Sequence, residues 1–191
     1  MILSFLSDKL IDSVYLFIII YIYEDTMNKK VFQIIADNTT GVLSRISGLF
    51  SRRGYNIESI TAGVTADPRF TRITIVASGV DDVLEQIEKQ VAKLVDVRDI
   101  HELEPDSSVY RELALVKVSA DASIRDDVKS IADFYKAKII DVGYDSLIIE
   151  LTGNSAKIDS FLDILRDYEI LELARTGIAG LSRGTDSVIK L

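Results

Sequence analysis

The stretch Asp37-Asn38-Thr39-Thr40-Gly41 lies between an apolar run and an amphipathic one, and its residue types can hold a small charged molecule. Asp, Asn and Thr are favoured at helix N-caps, and glycine lets the backbone approach a ligand closely. The first turn of a helix leaves amide N–H groups unpaired and carries partial positive charge, which makes an anion site. A carboxylate fits such a site as well as a phosphate does. The loop has a single glycine, so it lacks the glycine-rich pattern of a phosphate cradle. The side-chain carbonyl of Asn38 can also accept a hydrogen bond from an ammonium group. A carboxylate at one end and an amine at the other is the chemistry of a free α-amino acid. An ordinary N-cap with an Asx turn is the commoner use of these residues, and the loop alone leaves both readings open. The corresponding loop later in the chain, ADASIR at 120–125, has neither Asn nor Gly. Only the first loop is built to admit something close to its backbone.

The composition removes competing chemistries. The chain has 191 residues, 48% hydrophobic and 27% charged, which suits one ordinary folded domain or two small ones. With no cysteine there are no disulfides, thiolate zinc sites or cysteine nucleophiles, and a reducing, cytoplasmic setting is expected. The one histidine, His101, leaves little room for a His-based metal site or a Ser-His-Asp arrangement and reads as an exposed residue at a strand end. A net charge of −8 argues against nucleic acid, because phosphate neutralisation needs clustered Lys and Arg.

The first 26 residues differ from the rest. They contain VYLFIIIYIY at 14–23, shorter than the roughly 20 residues a membrane-spanning helix needs. Lys9 is the only basic residue before that run, and Glu24-Asp25-Thr26 stands where a signal peptide would have small residues. From Met27, MNKKVFQII opens like a first strand. Residues 1–26 are therefore expected to be an upstream extension outside the fold, with no membrane partner. A membrane-associating or partner-docking segment is the other reading.

The elements that must position the loop follow from hydrophobic period. Residues 30–36 read as a strand, and Val42, Leu43, Ile46, Leu49 and Phe50 form one helical stripe. Strands at 56–64 and 70–78 flank a turn at Asp67-Pro68. Val83, Leu84, Ile87 and Val91 mark a second helix, and 95–100 a closing strand. This is the β-α-β-β-α-β order of the split βαβ, or ferredoxin-like, unit. After ELEPDSS at 102–108 the plan repeats. A strand at 111–119 precedes a helix marked by Ile124, Val128, Ile131, Ala132 and Tyr135. Strands at 137–142 and 146–153 flank Gly143-Tyr144-Asp145; a helix marked by Ile158, Phe161, Leu162 and Leu165 leads to a last strand at 169–178.

The expected class is α+β: two tandem ferredoxin-like domains, 27–102 and 109–191, with a linker at 103–108. Domains this small bury only about 60% of their unfolded surface, so a dimer that extends a sheet would add stability. Asn56 reads by default as a turn residue. Gly63 reads as a bulge or close approach within a strand.

The stretches SRRGYNIESI (51–60), LEQIEKQVAKLVDV (84–97), RELALVKV (111–118), KIIDV (138–142) and ARTGIAGLSRG (174–184) carry a resemblance. Together, in order and spacing, they resemble the regulatory (small) subunit of acetolactate synthase, or acetohydroxyacid synthase. The resemblance runs from about Lys30 to Gly184, and residues 1–26 have no counterpart in it. It implies that the first half is an ACT domain, that such domains dimerise side by side, and that valine binds at their interface. Carried over by position, Asn38, Thr40 and Gly41 with Val42 and Leu43 would form the carboxylate and amine side. Asn56 and Ile57 would line the same site from the partner subunit. It also implies no catalytic residue and no cofactor here. Thiamine diphosphate and Mg²⁺ would sit on a separate catalytic (large) subunit.

This chain would activate that subunit, and valine would reverse the effect as feedback in branched-chain (valine, isoleucine, leucine) biosynthesis. A free-standing ACT-domain sensor of another enzyme is the alternative, disfavoured by the match in the second half. An RNA-binding module shares the strand order, but RITIVA (72–77) and VRDIHE (97–102) lack its stacking aromatics.

Overall fold

β-Branched runs of period two and amphipathic stripes of period 3.6 alternate along the chain, and each becomes the element its period demands. The computed structural model describes residues 28–185, so the expected extension at 1–26 lies outside the described residues. The first unit runs β1 (Asn28–Asp37), α1 (Val42–Arg53), β2 (Asn56–Val64), β3 (Phe70–Gly79), α2 (Asp81–Val91) and β4 (Val97–Glu102). The second runs β5 (Ser108–Ser119), α3 (Arg125–Phe134), β6 (Lys138–Val142), β7 (Ser146–Gly153), α4 (Ser155–Ile164) and β8 (Ile170–Arg175). The expected pair of βαββαβ units is borne out. The antiparallel sheets have strand orders β2-β3-β1-β4 and β6-β7-β5-β8.

Both helices of each unit cover one face of its sheet. In the first, Phe32, Ile34 and Ala36 of β1 and Ile73, Ile75 and Ala77 of β3 pack with Ile46, Leu49 and Phe50 of α1 and Leu84, Ile87 and Val91 of α2. In the second, Ala114, Val116 and Val118 and Leu147, Ile149 and Leu151 pack with Val128, Ala132, Ile158 and Phe161. Each large aliphatic or aromatic side chain buried this way contributes about 1.5–3 kcal/mol. Gly54, at φ 68°, reverses the chain after α1, and Tyr55 then stands edge-on to Phe50 with ring centres 5.8 Å apart.

The last strand departs from expectation. It stops at Arg175 rather than 178; Thr176-Gly177-Ile178 turns the chain into β9 (Ala179–Ser182), which pairs with the first four residues of β5, Ser108–Arg111. This two-stranded ribbon lies over the face of the first sheet that the helices leave open. There Ile35 and Val76 are buried although neither belongs to the helix-side core. Thr61 Oγ1 donates to the Thr176 carbonyl at 2.9 Å, and Gly177, at φ 77°, abuts Ser59 so closely that a Cβ would sit 2.8 Å from its Cβ. Gly180 packs likewise on Leu103 and Tyr110. The expected linker at 103–108 is correspondingly tight. Leu103 is buried with its amide donating to Val31 O at 2.7 Å, and Ser108 already belongs to β5.

His101 is not exposed as expected. It is half-buried on β4, with Nδ1 3.1 Å from Asp99 Oδ2 and Nε2 3.5 Å from Ser182 Oγ of the ribbon.

Arg175 anchors the start of the ribbon. Its Nε and Nη2 donate to both oxygens of Glu112, at 2.7 and 2.9 Å, while Nη1 donates to Asp159 on α4 at 2.8 Å. Glu112 is buried, so these bonds hold the guanidinium pKa well above its ordinary value. Removing one partner of a buried pair leaves the other charge uncompensated, at a cost of about 3–5 kcal/mol, and the partial exposure of Arg175 sets the lower end. Arg175→Ala is expected to lose about 3 kcal/mol of unfolding free energy by urea denaturation. A loss below about 1 kcal/mol would mean the clamp is not structural.

Candidate functional site

The loop after β1 is built by polar ties at both ends. Asp37 donates its amide to Asp96 O at 2.8 Å, and its carboxylate takes a forked pair of hydrogen bonds from Arg98. Asn38 donates its amide to Arg69 O at 2.7 Å; its Nδ2 donates to Pro68 O at 3.0 Å and its Oδ1 accepts from Thr71 Oγ1 at 3.1 Å. Asn38 therefore fastens the loop to the β2–β3 turn. One lone pair of its Oδ1 remains.

None of Asp37, Asn38, Thr39 or Thr40 caps α1, contrary to the sequence expectation. The N-cap is Gly41, at φ 86°, a left-handed conformation that glycine adopts without strain, and it makes no side-chain cap. Val42 N reaches Thr39 O at 3.4 Å, while the amides of Leu43 and Ser44 have no hydrogen-bond acceptor among the described residues. The other α-helices answer their dipoles. α2 and α3 carry paired aspartates in the first turn, and Asn154 caps α4 through the Lys157 amide. α1 has no acid there.

The mouth of α1 is thus open, positive and free of side-chain plugs. Arg45 lies beside this mouth with its charge answered by Asp96. Its Nε donates to Asp96 Oδ2 at 2.5 Å, and its Nη1 lies 3.1 Å from where a Gly41 Cβ would be. The matching loop of the second unit is closed from within. Asp121 accepts from Ser123 N and Oγ, and Arg125 Nη2 donates to the carbonyls of Ala120, Gly143 and Tyr144.

Of the sequence-derived residues, Asn38, Thr40 and Leu43 are exposed around the mouth, with Gly41 half-buried between them. Val42 turns its side chain into the core, so only its backbone faces the loop. Asn56 and Ile57 lie elsewhere. Asn56 is the first residue of β2, opposite Ser78, and its Nδ2 donates to Ser78 Oγ at 2.8 Å. Asn38 touches Thr71, so the two asparagines are about seven β3 residues, or about 23 Å, apart in one chain. A single chain does not bring them together. Sequence reasoning missed Arg45, Asp96 and Arg98, because only the β1–β4 pairing brings Asp96 and Arg98 beside the loop.

Two βαββαβ units in tandem define a protein of the ferredoxin-like α+β class. Residues 32–99 match the family described as the AHAS small subunit-like ACT domain, and 111–184 match the small subunit of acetolactate synthase. A probable acetolactate synthase small subunit of Methanothermobacter thermautotrophicus is 48% identical over 152 residues, 79% of this chain and 90% of that one. The acetolactate synthase isozyme 3 small subunit of Escherichia coli is 46% identical over 157 residues, 82% of this chain and 96% of that one. A crystal structure of the acetolactate synthase small subunit of Thermotoga maritima superposes with a TM-score of 0.77 at 36% identity, covering 83% of this chain and 99% of that one. The chain belongs to the acetolactate synthase small-subunit family. Among the described residues, no helix is long and apolar enough to cross a membrane.

The hydrogen bonds from Arg98 hold the Asp37 carboxyl below its ordinary value of 3.8. A depressed carboxylate stabilises the fold above its unfolded-state pKa and loses that contribution as pH falls through the folded-state value. Asp37→Asn should therefore be less stable than the parent near neutrality, with the difference shrinking as pH falls below 3.8. Denaturant midpoints across the acid range measure this. A difference independent of pH would contradict it.

Proposed function

We propose that this chain is the regulatory subunit of an acetolactate synthase, carried by one observation: the family match spans both of its units. It docks on a separate catalytic (large) subunit in the cytoplasm, raises that subunit's activity, and confers feedback inhibition by valine or another branched-chain amino acid. The catalytic subunit carries the thiamine diphosphate and Mg²⁺ that supply the carbon–carbon bond-forming chemistry.

The open mouth of α1 supports the effector reading. The amides of Leu43 and Ser44 would take the ligand carboxylate, and the remaining Asn38 Oδ1 lone pair its ammonium. The exposed Leu43 side chain would offer apolar contact. The edge strand β2 supports a homodimer through the ACT domains, since it has a paired neighbour on one side only. Antiparallel pairing of two β2 strands would bring the Asn56 end of one against the Val64 end of the other, beside Asn38. Asn56 and Ile57 of a second copy would then complete the site that one chain leaves in two parts.

Valine regulates only if it binds one arrangement of this dimer better than another; a coupling of about 1–3 kcal/mol is typical. The contacts of Ser59 and Thr61 with Gly177 and Thr176 offer a route from β2 to the second unit.

Calorimetric titration of the chain with valine tests the site. Asn38→Ala and Gly41→Ala should each weaken binding about tenfold or more, the loss expected for a hydrogen bond to a charged group. Gly41→Ala adds left-handed backbone strain of about 1–2 kcal/mol. Unchanged valine affinity in both variants would refute the assignment.

A further inference from the structure

Gly63 and Arg72 stand directly opposite each other on β2 and β3, on the face turned away from the helices. A glycine inside a strand usually marks a bulge, a close backbone approach or a left-handed conformation. Gly63 serves none of these. The pairing is regular from Ser59 to Val64, no atom lies within 4 Å of where its Cβ would be, and its φ is not positive. What its missing side chain leaves is space.

That space belongs to a cavity of about 460 Å³ between the first sheet and the ribbon. Thr61, Gly63 and Arg72 line it on the sheet side and Val109, Arg111 and Leu181 on the ribbon side, and no Asp or Glu lines it. Arg72 is half-buried, and loss of water lowers its pKa. Among the described residues its side chain bonds only to Gln33 Oε1, and no carboxylate pairs with it. Gln33 is itself buried, and its Nε2 has no partner. In a chain of net charge −8, two arginines share a cavity that no acid lines, with threonines as its other polar side chains. A desolvated guanidinium without a counter-charge is costly, and a bound carboxylate matches its fork geometry.

We propose that this cavity binds a small aliphatic carboxylate. The carboxylate pairs with the Arg72 guanidinium beside the Arg111 side chain, and the hydrocarbon tail lies against Val64, Val109 and Leu181. A free amino acid is a poorer fit, because its ammonium would face two cations with no acid to receive it. The site is separate from the mouth of α1, and Gly63 keeps it open.

The test is titration of the full chain with 3-methylbutanoate, with 3-methylbutanamide as the uncharged isostere, followed by calorimetry or NMR. Saturable binding of the acid is expected, with the amide and the Arg72→Gln variant each weaker by about tenfold or more. Gly63→Val puts a strand-favouring side chain into empty space, so it should keep or raise the melting temperature while abolishing binding. It also carries the test if Arg72→Gln fails to fold. No saturable binding of the acid by the parent chain, or full binding by a folded Gly63→Val variant, overturns the proposal.

Discussion

A four-stranded sheet has two faces, and the helices of a βαββαβ unit cover only one. In the first unit the second face carries Ile35 and Val76 as well as Gln33 and Thr74, all buried. The β5–β9 ribbon lies over that face, and the rest of the architecture depends on it. The ribbon is held from the second unit by Arg175 between Glu112 and Asp159, and to the first by the Thr61–Thr176 hydrogen bond and the glycine contacts at 177 and 180. Two small domains, each with a modest core of its own, thereby share a third buried layer.

With one face under helices and the other under the ribbon, the first sheet keeps, besides the pocket beneath the ribbon, two places open to a partner. One is the loop at the start of α1, where no side chain plugs the amides and no acid answers the dipole. The other is the free edge of β2. The same strand that would pair with a second copy at its edge presses Ser59 and Thr61 against the ribbon. A change in how two copies pair must move those contacts or strain them, because packed layers do not deform continuously. On the proposed regulatory reading, an effector that altered that pairing would bias the other unit through these contacts.

Much of this was legible in the sequence. The stripe Val42, Ile46, Leu49 and Phe50 announced α1, and the alternations at 56–64 and 146–153 became β2 and β7 at those same limits. The ribbon was not legible. Its residues, AGLS, have no strand signal of their own and become a strand only because Ser108–Arg111 lies beside them. The one hint was the run VFQIIA, nearly continuous rather than alternating, as befits a strand buried on both faces. At the loop, residue types pointed to a helix start that the structure leaves uncapped, but they assigned the capping wrongly. Asn38 had better partners in Pro68 and Thr71, 30 or more residues away, and that competition follows from sheet register rather than from local preference. Gly63 showed the converse: its type was conspicuous, but only the empty space around it gives a reason.

The most direct test is acetolactate formation by the catalytic subunit from the same source, measured with and without this chain and, in each case, with and without valine. A regulatory subunit predicts that the chain raises the rate and that valine removes the increase. An unchanged rate, with both chains folded and mixed, would contradict the regulatory assignment.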